Sequence, residues 1–536
     1  MESFVKETER HQESTQPRLP KKTIKSINPA TGELIGEIEV LSHDDVINAV
    51  HTARRAFDSW SATSFESRRE IILNAVDLMH ERIDEIADII TKENGKPRTE
   101  SLLAEILPAL YMTQWVAKNA QRVLADEPIN AFIWRMIGKR SYIQYKPKGV
   151  VGIISPWNYP WGIPVGQIAN ALMAGNTVVF KPSSTVPFIG DAIGKVFHDA
   201  GVPKDVLIVT QGPGRIGEGM IDGEVDHLIF TGSVEVGRHV NQLAAAKFIP
   251  TTMELGGKDP MIVLDDADLD AAAAGAIWGA FANSGQTCAS VERVYVMEKV
   301  YDEFVEKVIE KTRKLRQGVD TDFNVDVGAM TNPPQIDIVE QHVEDALKKG
   351  ATIRTGGKRR DDLPGFFYEP TVITEVNESM DCMVEETFGP TLPIRKVVSE
   401  DEAIRLSNDS RFGLTASVWS TNISRAERVA SQIMTGTVTI NDALSTFGMG
   451  ETPWGGVKES GTGRTHGEFG LHEMVRPLHI AVDSLPKLKK LWWYPYDKKL
   501  YDITKNTLSF FTRKAVGKKS KLLFDAARKI SLKDKY

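Results

Sequence analysis

An α/β protein with doubly wound parallel sheets is predicted by three observations. The chain is 536 residues long, enough to bury large cores, and size alone suggests two or more domains. Short apolar runs alternate with helix-patterned segments: Gly149–Ile154, Asn176–Phe180, Val206–Val209 and His227–Phe230 read as buried strands with helices between them. A second series starts after Glu254, with strands at Met261–Leu264 and Val294–Val296 on either side of an Ala-rich helix, Leu269–Phe281.

Each element has a local reason. The segment 1–22 is polar, rich in Glu, Gln, Arg and Lys, and lacks the apolar core of a signal peptide, so it reads as a disordered leader. Asn28–Glu33 is a turn between two extended runs. From Ser42 the spacing of Val46, Ala49, Val50, Ala53 and Phe57 predicts a helix, and helical patterns continue over 68–93 and 99–124. Residues 131–148 alternate as a hairpin does. The apolar stretch from Val150 to Phe180 resembles a membrane span, but Pro156, Pro160 and Pro164 argue against a helix there. Tyr301–Leu315 is amphipathic, with Phe304, Val305, Val308 and Ile309 on one side.

Composition narrows the class. Apolar content of 41% and charged content of 26% are ordinary for a soluble globular protein. The two cysteines, Cys288 and Cys382, make no disulfide framework and point to a reducing, cytoplasmic setting. The net charge of −7 hides an asymmetry. From Lys487 to Tyr536 there are 15 Lys and Arg against 4 Asp and Glu, a balance of +11, which leaves −18 elsewhere.

The chemistry centres on Phe281-Ala282-Asn283-Ser284-Gly285-Gln286-Thr287-Cys288, where small neighbours leave a sulfur approachable. A lone cysteine is ordinarily a small core residue. Two further segments change that reading: Met253-Glu254-Leu255-Gly256-Gly257-Lys258 and Ser155-Pro156-Trp157-Asn158-Tyr159-Pro160. Together the three segments resemble the aldehyde dehydrogenase superfamily, from about Ile27 to about Pro477. The resemblance implies two doubly wound parallel-sheet α/β domains with a small β oligomerisation element. Residues 23–128 and 149–253 would bind the dinucleotide, 254–473 would be catalytic, 129–148 and 474–486 would assemble a homodimer or homotetramer, and 487–536 would be a basic extension.

The residues it implies have chemically apt types. Cys288 is the nucleophile that forms a thiohemiacetal and then a thioester. Asn158 and the Cys288 backbone N–H are donors to the oxyanion. Glu254, in mostly apolar company, is the general base for thioester hydrolysis. The cofactor is NAD or NADP. Gly232 and Gly237 flank Ser233 at a strand-to-helix turn with four residues between the glycines, a spacing that alone reads equally as a plain turn. The resemblance places Ser233 on the pyrophosphate, Lys181 on the adenosine ribose, Glu386 on the nicotinamide ribose and Phe388 beside the ring. Ile154, Ser155, Trp157, Ser183, Ser184 and Gly214 complete the cleft. No metal is expected. At Ser184 many NAD-preferring members carry a glutamate; a serine permits NADP.

Substrate class stays open at this stage. Tyr159, Phe281, Phe447 and Trp454 suggest an apolar tunnel, which Gly166 would widen, and no pair of arginines is evident for a distal carboxylate. A hydrophobic aldehyde is favoured over a succinate-semialdehyde-type substrate. A catalytically silent homologue and a CoA-acylating member are rivals, and the joint presence of Cys288, Glu254 and Asn158 favours neither. The extension opens with Leu485-Pro486-Lys487-Leu488-Lys489-Lys490-Leu491-Trp492-Trp493-Tyr494-Pro495-Tyr496, followed by apolar stripes at Leu500, Ile503, Leu508, Phe510, Phe511 and Ala515 and then at Leu522, Leu523, Ala526 and Ile530. Aromatic and basic residues together suit an anionic membrane surface. The rival role is a helical hairpin packed on this or another subunit; nucleic acid is not expected.

Overall fold

The structure, a computed structural model, describes residues 22–131, 134, 135, 138–487, 490 and 492–508. The leader, apart from Lys22, and the stripes beyond Leu508 lie outside these residues. The described chain forms two compact units, one within 22–124 and 146–476, the other within 125–145 and 477–508.

The first unit contains two large sheets. One has six strands in the order Gly461–Thr462, Thr251–Glu254, His227–Thr231, Val150–Ile154, Thr177–Lys181, Leu207–Val209. Val150–Ile154 pairs in parallel with both His227–Thr231 and Thr177–Lys181. The strand order reverses there, and open α/β sheets bind ligands beyond the carboxyl ends of the strands at such a point. Those ends carry Ile154, Lys181 and Thr231. These strands are apolar because both faces are covered, by helices such as Gly162–Met173 and Val234–Ala246.

The other sheet has seven strands in the order Thr352–Thr355, Thr371–Thr374, Thr391–Val397, Val291–Met297, Asp259–Val263, Thr415–Trp419, Thr437–Ile440. Leu269–Phe281 and Tyr301–Thr312 pack on it through a continuous apolar cluster that includes Ala276, Phe304, Val308 and Ile394. Neither sheet is wholly parallel. Gly461–Thr462 runs antiparallel to Thr251–Glu254, and Thr352–Thr355 antiparallel to Thr371–Thr374. Both exceptions are short edge strands, where pairing direction is free of the crossover rule.

Local sequence accounts for the helix ends. Ser42 caps His43–Ser61 with a reciprocal capping box to Asp45, and Val46, Val50, Ala53 and Trp60 are buried beneath it. Such a cap is worth about 1 kcal/mol, against ~1.5–3 kcal/mol for each large apolar side chain buried. The helical pattern over 68–93 is broken at Arg82 (φ −104°, ψ 22°) into Phe65–Glu81 and Ile83–Asn94. The pattern over 99–124 is likewise not uniform: Ser101–Ile106 is a π-helical turn ahead of Leu107–Val123. A wider turn of this type often marks a functional site.

In the second unit, Lys139–Pro147 lies between Val475–Asp483 and Glu127–Pro128 in a three-stranded sheet. Asp483 is held by Lys139 (2.8 Å) and Lys490 (2.6 Å), which keeps its carboxyl well below the usual range. Lys490 is therefore buried rather than part of a basic face. Trp492, Trp493, Tyr494, Tyr496 and Tyr501 stay exposed, and Lys498–Leu508 is a helix. Among the described residues no helix is long and apolar enough to cross a membrane.

Candidate active site

The loop that carries Cys288 is strained and well tied. After the helix ending at Phe281, the chain passes through three left-handed residues, Asn283 (φ 53°), Ser284 (φ 55°) and Gly285 (φ 75°). Each non-glycine residue there costs about 1–2 kcal/mol, which specific bonds must offset. Asn283 Nδ2 donates to the Asn158 carbonyl at 2.8 Å, Ser284 Oγ to the Gly328 carbonyl at 2.9 Å, and Gln286 Nε2 to the Asn283 carbonyl at 2.8 Å. Gly285 fits tightly: a Cβ there would lie 2.1 Å from the Gly389 carbonyl oxygen.

This turn delivers Cys288, half-buried, to a cavity of about 590 Å³. Burial, reinforced by Glu386, Asp259 and Glu254, pushes its thiol up. Glu254 opens onto the same cavity. It ends the strand Thr251–Glu254, between Thr231 and Gly461 in register, and is 4% exposed. Among the described residues neither carboxylate oxygen has a partner in hydrogen-bond geometry. Burial raises its pKa well above the ordinary value; Arg464 and the nearby Trp454 indole offset only part of this. Gly455 closes over it, and a Cβ there would lie 2.7 Å from Glu254 Oε1.

Asn158 is buried beside the cysteine loop. Its Nδ2 donates to the Gln286 carbonyl at 3.0 Å. An amide nitrogen has two hydrogens, so this bond orients the side chain and leaves a second donor. Tyr159, next in sequence, shares a 2.8 Å hydrogen bond with the Thr287 hydroxyl.

The other sequence-chosen residues collect beyond the strand ends at the switch point. Ile154 and Lys181 are register partners, and Ser155 N donates to the Lys181 carbonyl at 3.1 Å. Lys181 is buried, bonded through Nζ to the Pro182 carbonyl at 3.1 Å, with its pKa lowered to about 8 by burial. Ser183 accepts from Thr185 N, and Ser184 beside it is half-buried. Ser233 caps the helix Val234–Ala246. Gly232 N donates to the Glu254 carbonyl at 3.1 Å, and Gly214 begins a short 3₁₀ turn facing open space. Gly237 answers to packing: a Cβ there would lie 2.4 Å from a Leu255 methyl. Trp157 meets Phe388 edge to face at 5.4 Å. Glu386 accepts from Gly257 N at 2.9 Å, and burial pushes its carboxyl up to about 8.

These groups suit a dinucleotide. A helix N-terminus favours phosphate, the Ser155 hydroxyl is buried with no partner among the described residues, and Lys181 at a strand end and Glu386 in a loop are cation and acceptor.

Two expectations are corrected. Phe281 does not line the cavity; it is 2% exposed and packs in the core with Ala276 and Val291. Gly166 does not widen it either. It faces Met112, whose methyl a Cβ there would meet at 3.5 Å, an ordinary contact, and it is not among the lining residues. Tyr159, Phe447 and Trp454 do line the cavity, as does His466, whose ring packs on Phe447 and Trp454. His466 is held neutral by burial, its pKa lowered to about 3. No lysine or arginine is among the lining residues.

Residues 16–480 match the aldehyde dehydrogenase family. The chain belongs to the aldehyde dehydrogenase family. It is 39% identical over 488 residues to a 4,4'-diapolycopene aldehyde oxidase from Methylomonas, covering 91% of each chain. It is 38% identical over 459 residues to a putative NADP(+) succinate-semialdehyde dehydrogenase from Mycolicibacterium smegmatis, covering 85% of this chain and 88% of that one. It superposes on the crystal structure of a Staphylococcus aureus betaine aldehyde dehydrogenase in complex with NAD+ with a TM-score of 0.84, at 35% identity, covering 88% of this chain and 96% of that one.

Within this aldehyde dehydrogenase, sequence reasoning missed a supporting layer. Lys258 pairs with Glu292 at 2.5 Å, and Glu292 accepts from Thr387 N at 3.1 Å and Phe388 N at 2.9 Å. That buried pair fixes the turn bearing Glu386 and Phe388. Only the lysine's place in the Glu254 segment could have signalled it.

Proposed function

We propose that the protein oxidises a hydrophobic aldehyde to its carboxylic acid with NAD+ or NADP+. In this reading the six-stranded sheet carries the cofactor and the seven-stranded sheet the nucleophile. The observation that carries it is the cavity: Cys288 and a buried Glu254 share a space lined by Leu103, Leu107, Trp278, Phe447 and Met449, with no lysine or arginine among the described lining residues. Burying the carboxylate of a dicarboxylic semialdehyde there without a partner would be costly.

As sulfur adds to the aldehyde carbon the Cys288 proton passes to water, which leaves Glu254 for the later hydrolysis. Asn158 Nδ2 and the Cys288 backbone N–H receive the oxyanion, where charge develops. The cofactor, when bound, supplies the hydride acceptor. Water then attacks the thioester while Glu254 accepts a proton, and the acid leaves. A glutamate at this place favours water over CoA as the thioester acceptor.

The direct test is NAD(P)H formation across aldehydes. Long-chain and aromatic aldehydes are expected to exceed succinate semialdehyde in kcat/KM by at least about tenfold, since one unpaired buried charge costs more than ~1.4 kcal/mol. A preference for succinate semialdehyde would establish the reading that the Mycolicibacterium relative suggests.

Ser184 and Lys181 leave NADP admissible. Ser184→Glu is expected to weaken NADP binding by about tenfold through repulsion of the 2′-phosphate and to leave NAD unchanged or improved. Cofactor titrations of both proteins check this; an unchanged NADP preference places residue 184 away from the ribose.

We further infer self-association through the exposed edge of Val475–Asp483, and a membrane-facing role for the extension. Exposed edge strands invite pairing. The exposed Trp492, Trp493, Tyr494 and Tyr496, with a tail balance of +11, suit an anionic bilayer at ~1 kcal/mol per basic residue near the surface. Full-length protein is expected to sediment with anionic liposomes at low salt, and a chain ending at Asp483 to stay active on short aldehydes but remain in the supernatant. Failure of the full-length protein to sediment refutes the membrane role. A changed subunit count on truncation assigns the tail to assembly.

A further inference from the structure

We propose that a buried ion pair, Lys96 with Glu105, positions the oxyanion donor Asn158. The inference rests on the assignment of Asn158 above. Both side chains are wholly shielded from solvent, and Lys96 Nζ meets Glu105 Oε1 at 2.7 Å. The pair grips the Asn158 segment at two points. Lys96 Nζ donates to the Asn158 backbone carbonyl at 2.9 Å and stands 4.0 Å over the Tyr159 ring. Glu105 Oε2 accepts from Trp161 N at 2.9 Å and Gly162 N at 2.8 Å, at the start of the helix Gly162–Met173.

The placement is informative because burying two charges is expensive unless every remaining donor and acceptor is used. Here Glu105 spends one oxygen on Lys96 and the other on the helix start. Glu100 lies buried beside Lys96 with its carboxyl pushed up to about 7 by burial, and Glu105 is the carboxylate bonded to the lysine. Glu105 sits in the π-helical turn Ser101–Ile106, whose Leu103 and Ala104 line the cavity. The turn thus presents apolar wall residues outward and the carboxylate inward. The Asn158 carbonyl also accepts from Asn283 at 2.8 Å, which ties it to the cysteine loop. Lys96 is the charged member of that set. It fixes the backbone of Asn158 while Gln286 fixes the side chain.

A positioning residue acts through the group it positions, so its effect disappears when that group is removed. The test is the single-turnover rate of hydride transfer in Lys96→Met, Asn158→Ala and the double variant Lys96→Met/Asn158→Ala, with melting temperature and cofactor KM measured alongside. Lys96→Met is expected to slow hydride transfer by about 10–100-fold, with cofactor KM within about twofold. In the Asn158→Ala background the same change is expected to cost less than about threefold, since non-additivity marks residues acting as a unit. Equal losses in both backgrounds overturn the proposal by showing a general structural role. A normal rate in Asn158→Ala overturns the oxyanion assignment together with it.

Should Lys96→Met fail to fold because Glu105 is left unpaired, Lys96→Met/Glu105→Gln removes both charges while keeping the acceptor at the helix start. Its hydride-transfer rate is expected to fall as far as that of Lys96→Met. A wild-type rate in this folded variant overturns the proposal.

Discussion

Replacing Cys288 with alanine is expected to abolish aldehyde-dependent NAD(P)H formation, a loss of at least ~10⁴-fold, because covalent catalysis has no substitute nucleophile here. The only other cysteine, Cys382, is buried, and burial pushes its thiol up to about 11. Ser290 Oγ is committed to the Gly279 carbonyl at 3.0 Å. Thr287, nearer in sequence, is bonded to Tyr159. The substitution removes one half-buried sulfur and should leave the melting temperature nearly unchanged. Stopped-flow absorbance of NAD(P)H checks the claim. A Cys288→Ala protein that still turns over aldehyde would move the chemistry to another residue.

The second large effect concerns Glu254. Glu254→Gln is expected to preserve a burst of reduced cofactor and to slow steady-state turnover by ~10²–10⁴-fold, the usual contribution of a positioned base. The burst survives because water or hydroxide removes the thiol proton in the first step, at high pH most readily. The pH dependence follows from the raised pKa. The base works as a carboxylate, so wild-type thioester hydrolysis increases as pH rises through the folded-state pKa of Glu254 and declines below it. In Glu254→Gln that rise is lost. Stability moves in the opposite sense: a raised folded-state pKa means a buried carboxylate that costs stability once ionised, so the Gln protein should tolerate alkaline pH at least as well. Normal steady-state turnover in Glu254→Gln contradicts the base assignment.

What was legible in the sequence was mostly local. The alternation of apolar strands with helix-patterned segments reflects two-sided burial, and Val150–Ile154, Thr177–Lys181 and His227–Thr231 form where that pattern stands. Glu254 ends a strand its own sequence defines, whereas Asn158 and Cys288 lie in loops that the Asn158–Gln286 bond and the shared cavity bring together. The misses are long-range. Phe281 looked like a tunnel wall from its place beside the motif, yet helix phase turns it into the core. Gly166 looked like an empty space, but its neighbour is Met112 on another helix. Lys96 lies between the helical patterns over 68–93 and 99–124, and Glu105 lies within the second. Their importance comes from Asn158 and Trp161, more than fifty residues away in sequence. Lys490 read as one of many tail lysines until Asp483 was placed beside it.

The most direct test of a hydrophobic-aldehyde oxidation through Cys288 is mass spectrometry of Glu254→Gln after mixing with NAD(P)+ and a long-chain aldehyde. Slow hydrolysis in that variant should leave the acyl group on the enzyme. The predicted result is a mass gain equal to the aldehyde less two hydrogens, confined to the peptide that contains Cys288 and absent without cofactor. No adduct from the long-chain aldehyde, alongside a clear one from succinate semialdehyde, would contradict the account.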